Sequence, residues 1–218
     1  MSSDSKHPLP VFPLPGVVLF PWARLPLRVL ELRHRAMVRE ALSSERLIAV
    51  ALLRPGWEQD DQGSADFYPL GCLARIDDAA WLPDDCYDLH VHGLARARLS
   101  RSAREFPYRE VFTEVLPQEP FSEDDPLVQI ERRALIMAGE RLARLTAPEG
   151  ETPAAVEEGL GFEALVNTLC MWLEAEPREK LTLLEMDSVL ERARRARELM
   201  EWQLRWTHAG RTGSGESN

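Results

Sequence analysis

Long apolar runs and signal sequences are absent from this chain. No stretch reaches the ~18 uninterrupted apolar residues of a membrane-spanning helix, and the first residues have neither the apolar core nor the cleavage site of a secretory signal peptide. Cysteine is scarce, since Cys72, Cys86 and Cys170 are odd in number and none lies in a CxxC pair. These absences argue against a disulfide framework and favour a reduced, cytoplasmic protein with small apolar thiols.

Lysine is also scarce, and the 36 acidic residues outnumber the 26 basic ones. The formal net charge is −10 at pH 7, and Lys6 and Lys180 are the only lysines. Because nucleic acids are bound through concentrated positive charge, this balance argues against a nucleic-acid partner. The hydrophobic content of 44% in 218 residues is ordinary for a soluble protein, and it permits a full core, or two modest ones, without disulfides or metals.

Proline is concentrated near the N-terminus, where residues 9–31 are LPVFPLPGVVLFPWARLPLRVLE. Proline cannot donate to a sheet ladder, so it confines the runs between prolines to short edge or entry strands. The pattern predicts strands over residues 17–20 and 25–29. An amphipathic helix is predicted over residues 31–42.

The region that follows is predicted to be rich in β-strands. Residues 87–92 alternate, with Tyr87, Leu89 and Val91 on one face and Asp88, His90 and His92 on the other. Further strands are predicted over residues 46–53, 71–76, 95–102 and 108–116, with a loop or hairpin tip at 57–69 and a turn at 83–85. Six or seven short strands and one early helix predict a small, partly closed barrel, since the spacing leaves no room for the helical crossovers of a parallel sheet.

Helical periodicity replaces the β pattern after residues 117–126. A helix capped by Ser122 is predicted to bury Leu127, Ile130, Ala134, Ala138, Leu142 and Leu145. Helices over 162–173 and 177–184 follow, then a long one that Asp187 or Ser188 caps and that ends near Trp206. The fold class is therefore α+β: a β-barrel domain over residues 9–117 and a helical bundle over 118–207, between a flexible start, 1–8, and a disordered tail, 208–218.

Several motifs occur in a fixed order: PLPGVVLFP, LPLRVLE, then Arg33 and Met37, then GCLARI, LPD and VHGLAR. This order resembles the Lon N-terminal family, the substrate-binding domain that precedes the motor and peptidase of Lon proteases. The resemblance implies a PUA-like β pseudo-barrel with one inserted helix, followed by a helical bundle. The motif residues, which the resemblance makes structural, are Pro13, Pro15, Phe20, Pro21, Pro26, Leu27, Glu31, Arg33, Gly71, Pro83, Asp84, Gly93 and Arg96.

The chain departs from the family pattern at four positions. Trp22 and Asp85 stand where the family usually has glycine, His34 where it usually has tyrosine, and Ala97 where it usually has an aromatic residue.

Catalytic motifs of a complete Lon protease are absent from the sequence. Neither lysine follows a glycine in the form GxxxxGK[ST] of an ATP-binding loop. Lys180 lies early in a predicted short helix and is expected to be solvated rather than to serve in a serine–lysine peptidase site. We therefore expect a stand-alone member that lacks the ATPase and peptidase domains, needs no cofactor or ATP, and is not an enzyme. Its expected partners are unfolded or flexible protein segments, or another protein, and an adaptor role in protein quality control would follow.

Aromatic residues in or beside predicted loops are the candidates for peptide contacts. They are Trp22, Trp57, Phe67, Tyr68 and Trp81, each of which could instead fold over an end of the barrel. The other three tryptophans, Trp172, Trp202 and Trp206, are expected to pack inside the bundle. The arginines Arg192, Arg194, Arg195 and Arg197 are expected on a solvated helix face.

Two other functions stay open. Asp88, His90 and His92 project from one face of a strand at a spacing that could hold a metal ion, so a metal-dependent hydrolase using His90 and His92 is one alternative. The polar outer face of an alternating strand explains the same three residues. An RNA-binding protein is the other alternative, because PUA-like barrels also serve that purpose.

Overall fold

The computed structural model describes residues 8–59, 65–146 and 159–213, and it is a mixed α+β fold. Among these residues, no helix combines the length and the apolar character needed to cross a bilayer. The strands are β1 (Leu9–Leu14), β2 (Arg24–Val29), β3 (Leu47–Leu53), β4 (Phe67–Leu82), β5 (Cys86–Arg104) and β6 (Glu110–Val115). The α-helices are α1 (Leu32–Leu42), α2 (Pro126–Thr146), α3 (Phe162–Trp172), α4 (Pro177–Glu185) and α5 (Val189–Gly213), and a 3-10 turn covers Trp57–Gln59.

The chain divides into two compact units. Unit 1 comprises Met1–Pro117 and Glu176–Glu185, and unit 2 comprises Gln118–Ala175 and Met186–Asn218. In unit 1 the strands form one sheet in the order β2-β5-β4-β3-β1-β6, and β5 also pairs with β6. The pairings therefore run from β5 through β4, β3, β1 and β6 back to β5. Among the strands of the described residues, only the β1–β3 pair is parallel, and β2 and α1 form the crossover between those two strands.

The proline-rich start folds differently from the prediction. Residues 17–20 are not a strand, and the first strand is β1, which contains Pro10 and Pro13. β1 tolerates both prolines because its two halves have different neighbours: Leu9 and Pro10 pair with β6, and residues 11–14 pair with β3. The prediction of an edge strand is correct for β2, which contains Pro26 and pairs with β5.

Residues 17–20 are an irregular but buried segment that approaches β5. Trp22 N donates to Gly93 O at 2.8 Å, and Gly93 N donates to Ala23 O at 3.0 Å. A Cβ atom at Gly93 would lie 2.1 Å from Phe20 O, so only glycine fits there. This contact explains why the motif needs Gly93 within a strand.

The long hairpin of β4 and β5 merges elements that were predicted separately. The strands expected over 87–92 and 95–102 are both part of β5, which continues through Gly93. The alternation over 87–92 is confirmed: Leu89 and Val91 are buried, whereas Asp88 and His90 are exposed.

Helix α4 belongs to unit 1, although the predicted division placed it in the helical bundle. It packs against β4 and buries Leu181, Leu183 and Leu184. Arg96 on β5 donates to the carbonyl oxygens of Leu184 at 3.0 Å and Glu185 at 3.1 Å, at the negative end of the α4 dipole. The apolar pattern of a short helix does not show which core it joins, and for this reason the sequence misassigned α4.

Unit 2 consists of α2, α3 and α5, which pack against one another. Asp125, rather than Ser122, caps α2, since its carboxylate accepts from Leu127 N at 2.8 Å while Pro126 occupies the first helical position. Ser188 caps α5, with its Oγ 3.4 Å from Glu191 N. Helix α5 continues to Gly213, so the tail predicted to be disordered is helical over 208–213, while residues 1–7 and 214–218 lie outside the described chain.

Three expectations about side chains in unit 2 are wrong. Leu127 and Ile130 are exposed, because α2 buries the neighbouring Val128 and Leu135 instead. Arg192 is fully buried rather than solvated, and it donates to Asn167 Oδ1 at 2.7 Å and to Met186 O. The tryptophans expected to pack inside this unit are exposed: Trp172, Trp202 and Trp206.

Candidate functional site

A groove of about 220 Å³ opens in unit 1 where β1 and β3 end. These two strands are parallel neighbours, with Leu14 opposite Leu52, so the residues that follow them meet at one edge of the sheet. The start of α1 and the 3-10 turn after β3 complete the groove. Its lining residues are Pro13, Pro15, Glu31, Arg33, His34, Leu53, Trp57, Glu58, Ala65 and Arg109.

Rigid apolar groups form part of the wall. Pro13 and Pro15 contribute pyrrolidine rings, Leu53 contributes the end of β3, and Trp57 contributes a partly exposed indole. The proline and tryptophan rings lose little conformational entropy when another chain packs on them, because they have few rotamers to fix. They offer an apolar contact for a bulky side chain.

Charged groups of both signs complete the lining. Glu31 and Arg33 form a salt bridge at 2.7 Å beside the N-terminus of α1. The Arg109 guanidinium lies 4.7 Å from the ring centroid of Phe67, which places Phe67 next to the groove. The groove can therefore bind backbone or side-chain polar groups that flank an apolar residue.

His34 is a neutral hydrogen-bonding group in this lining. Its ring centroid is 4.6 Å from that of Phe12, and its Nδ1 is 3.7 Å from Glu31 Oε2. Burial lowers the pKa of His34 to about 4, because the loss of solvation outweighs the favourable charge of Glu31. At neutral pH the imidazole thus has one donor nitrogen and one acceptor nitrogen.

The structure brings one predicted contact residue, Trp57, into the groove, and Phe67 lies beside it under Arg109. The ring of Tyr68 lies between the guanidinium groups of Arg54, at 4.8 Å, and Arg178, at 4.9 Å.

The other two predicted contacts lie elsewhere. Trp22 is exposed beside His92, with ring centroids 6.5 Å apart, and Trp81 is exposed on β4 near the hairpin turn, against Tyr87. Peptide contact by any of the five aromatic residues stays a prediction.

Four motif residues expected to be structural line the groove: Pro13, Pro15, Glu31 and Arg33. Sequence reasoning did not select the other lining residues, which are His34, Leu53, Glu58, Ala65 and Arg109. One feature of the sequence could have pointed to His34, namely that it stands where the family usually has tyrosine.

The remaining motif residues lie in the core, on β2 or at the β4–β5 turn. Phe20, Pro21, Gly71, Gly93 and Arg96 are buried, Pro26 and Leu27 are on β2, and Pro83 and Asp84 are in the β4–β5 turn, where Asp84 pairs with Arg28.

The histidine candidates do not form a metal site in the described part of the chain. His90 is exposed, and His92 has its Nδ1 3.6 Å from Asp77 Oδ2. Over residues 8–59, 65–146 and 159–213, no three His, Cys, Asp or Glu side chains are grouped so that they could hold an ion. The three cysteines are buried and none of them forms a disulfide, and burial raises the pKa of Cys72 to about 12, so this thiol is unreactive at neutral pH.

Two departures from the family pattern coincide with left-handed backbone. Trp22 has φ 68° and Asp85 has φ 62°, at the positions where the family usually has glycine. Glycine adopts this conformation at little cost, whereas other residues are strained. At both positions this chain therefore has the backbone conformation that glycine favours, without the glycine.

Comparison with known proteins identifies the family. The chain belongs to the ATP-dependent protease La (LON) substrate-binding domain family, whose sequence model matches residues 8–201. It is 33% identical over 156 residues to Lon protease 2 of Myxococcus xanthus, covering 71% of this chain and 18% of that protein. It is 31% identical over 199 residues to Lon protease 1 of Thermus thermophilus, covering 88% of this chain and 24% of that protein. The chain thus spans about a fifth of the length of these relatives.

Solved structures agree with this assignment. A Lon N-terminal domain protein from Xanthomonas campestris is similar with a TM-score of 0.58 and 25% identity, over 90% of this chain and 98% of that one. The N-terminal domain of the Mycobacterium avium complex Lon protease is similar with a TM-score of 0.62 and 20% identity, over 89% and 98% respectively. The second similarity concerns the fold alone.

Proposed function

We propose that this chain is a substrate-recognition module that holds short, unfolded or flexible protein segments in the groove of unit 1. The observation that supports this most directly is the lining itself. Family-motif residues Pro13, Pro15, Glu31 and Arg33 lie there together with Trp57, so apolar and charged contacts are available side by side. The family description, a substrate-binding domain of an ATP-dependent protease, points to the same class of partner.

The size of the groove favours part of an extended chain over a small molecule. Its volume of about 220 Å³ is below the ~300–1,000 Å³ of pockets that enclose small ligands. An extended segment advances ~3.3 Å per residue and directs alternate side chains to opposite sides. One bulky apolar side chain would enter between Trp57 and the prolines, while its neighbours would meet the charged rim.

We propose that the module binds its partner without catalysing a reaction. The ten lining residues include no serine, threonine, cysteine or lysine, and the Glu31 carboxylate is paired with Arg33. Binding is the activity that these side chains support.

We also propose that unit 1 is a PUA-like pseudo-barrel and that unit 2 is the helical bundle that follows it. The pairing that returns from β6 to β5 supports the first proposal, and the mutual packing of α2, α3 and α5 supports the second. An adaptor that presents bound segments to a separate protease is the biological role that we propose for the module.

Peptide binding tests the function directly. Fluorescence anisotropy with labelled segments of denatured proteins should give saturable binding, and Trp57→Ala should weaken it about tenfold, as expected for loss of a central aromatic contact. Trp172→Ala, which changes an exposed tryptophan outside the groove, should bind like the wild type. Failure to saturate with any segment, or equal loss in both variants, would contradict the proposal.

A further inference from the structure

Two tryptophans are exposed on the outer side of α5. Trp202 is 54% exposed and Trp206 is 70% exposed. Their rings stack, with centroids 5.7 Å apart and an interplanar angle of 14°. The opposite side of α5 forms the core of unit 2, where Ala193 and Ala196 are buried. A stacked pair of exposed indoles is an apolar surface of the kind that marks an interaction site.

Charges of both signs lie on the same side of α5. Glu198 and Arg205 are seven residues apart, which is two helical turns, so they project on the same side as Trp202. Both are exposed, and the Glu198 side chain is 58% exposed although it accepts a hydrogen bond from Arg195 at 3.1 Å. The two opposite charges are therefore separated by roughly 10 Å along the helix, with Trp202 between them.

We propose that this α5 stripe, defined as Glu198, Trp202, Arg205 and Trp206, pairs with the α5 stripe of a second copy of the chain. A two-fold interface must be complementary to itself, and a stripe with one acidic and one basic end meets that condition when the helices are antiparallel. Glu198 of each copy then faces Arg205 of the other. A partner with one sign of charge would satisfy one end of the stripe and be repelled by the other.

The geometry places the aromatic rings at the centre. With the two-fold axis midway between positions 198 and 205, Trp202 lies within about one residue of the axis, so the Trp202 rings of the two copies meet. Trp206, stacked on Trp202, extends the apolar contact on either side. Aromatic residues at the centre of a patch with charges at its rim are the usual arrangement of a protein interface.

The exposed area of the tryptophan rings indicates a weak, reversible dimer. The exposed parts of four tryptophan rings amount to roughly 500 Å². Stable, specific interfaces bury at least ~1,200 Å², so the helix surface around the rings must supply the rest. We therefore expect dissociation in the micromolar range rather than an obligate dimer.

Sedimentation velocity of the full 218-residue chain over a range of micromolar concentrations measures this equilibrium. The wild type should fit a monomer–dimer equilibrium, and the double variant Trp202→Ser, Trp206→Ser should raise its dissociation constant at least about tenfold. Trp81→Ser is the matched control, because Trp81 is also an exposed tryptophan but lies on β4. It should dimerise like the wild type.

Charge reversal tests the antiparallel register. Glu198→Arg and Arg205→Glu should each weaken the dimer, and the two together should restore it, since opposite charges face each other again. Far-UV circular dichroism confirms that these surface variants fold, and peptide binding in the groove should be unchanged in all of them. A wild type that stays monomeric throughout, a dimer that survives the double tryptophan substitution, or a charge swap that fails to restore it would each overturn the proposal.

Discussion

Arg96 is the residue for which the structure makes the sharpest stability prediction. It is 3% exposed, and its guanidinium donates to the carbonyl oxygens of Leu184, Glu185 and Pro117. Two of these carbonyls are at the C-terminal end of α4, where a helix has no partners of its own for its last acceptors. Arg96→Met keeps much of the apolar stem and removes all of the donors.

The size of the destabilisation follows from the carbonyl acceptors that lose their donor. Each buried acceptor left without a donor costs about 1–3 kcal/mol, but the substitution also relieves the desolvation of a buried cation. We expect a net loss of about 3 kcal/mol in the free energy of unfolding of unit 1. Arg96→Lys should lose about half of this, since one ammonium group cannot reach carbonyls on two segments.

Urea denaturation gives the free energy, and hydrogen exchange of the peptide covering Pro177–Glu185 shows whether α4 detaches first. Arg98→Met is the matched control, because Arg98 is two residues away on the same strand, its side chain is 64% exposed, and its carboxylate partner Glu114 is 3.6 Å away. It should change stability by less than about 0.5 kcal/mol. If Arg96→Met is as stable as Arg98→Met and α4 exchanges at the wild-type rate, Arg96 does not hold α4.

Two further substitutions test the strained turn and the groove. Trp22→Gly should be more stable than Trp22→Ala by about 1 kcal/mol in chemical denaturation, because alanine is strained at φ 68° and glycine is not. Equal stabilities of the two variants would show that residue 22 is not strained. The pKa of His34 is near 6.5 in the unfolded chain and about 4 in the folded one, so the unfolded state binds more protons between these pH values. The free energy of unfolding should therefore fall by up to about 3 kcal/mol as the pH decreases through this window. His34→Phe should lose this slope in pH-dependent urea melts, whereas variants of the exposed His90 should keep it.

Local sequence patterns predicted most helices and strands of the fold but not which of them pack against one another. The period-2 alternation of residues 87–92 and the helical periodicity of α3 are confirmed, because one face of each is buried and the other is solvated. Residues 17–20 were mistaken for a strand since a buried irregular segment has the same apolar composition as a buried strand. Leu127 was assigned to the core of unit 2 because α2 has two candidate apolar faces, and only packing against α5 shows that the face with Val128 is the buried one.

The candidate groove was predictable only in part for a related reason. Trp57 could be selected because an aromatic residue in a polar loop is unusual. Arg109 could not, since it reaches the groove through the antiparallel pairing of β6 with β1. His34 could not either, since it lies on the crossover helix that the parallel pairing of β1 and β3 requires. Parallel pairing joins segments that are distant in sequence, and no local signal records it.

Two buried arginines bond consecutive backbone carbonyls where the chain passes from residue 185 to residue 186. Arg96 bonds the carbonyls of Leu184 and Glu185 within unit 1, and Arg192 bonds the carbonyl of Met186 within unit 2. Each guanidinium spreads five donors over a rigid plane, whereas the three donors of an ammonium group diverge from one atom and span a shorter distance. Three consecutive carbonyls are thereby bonded to buried arginines, each in the unit to which the carbonyl belongs. The sequence pattern therefore placed Arg192 on a solvated helix face, whereas in the structure its side chain is buried and bonds the backbone.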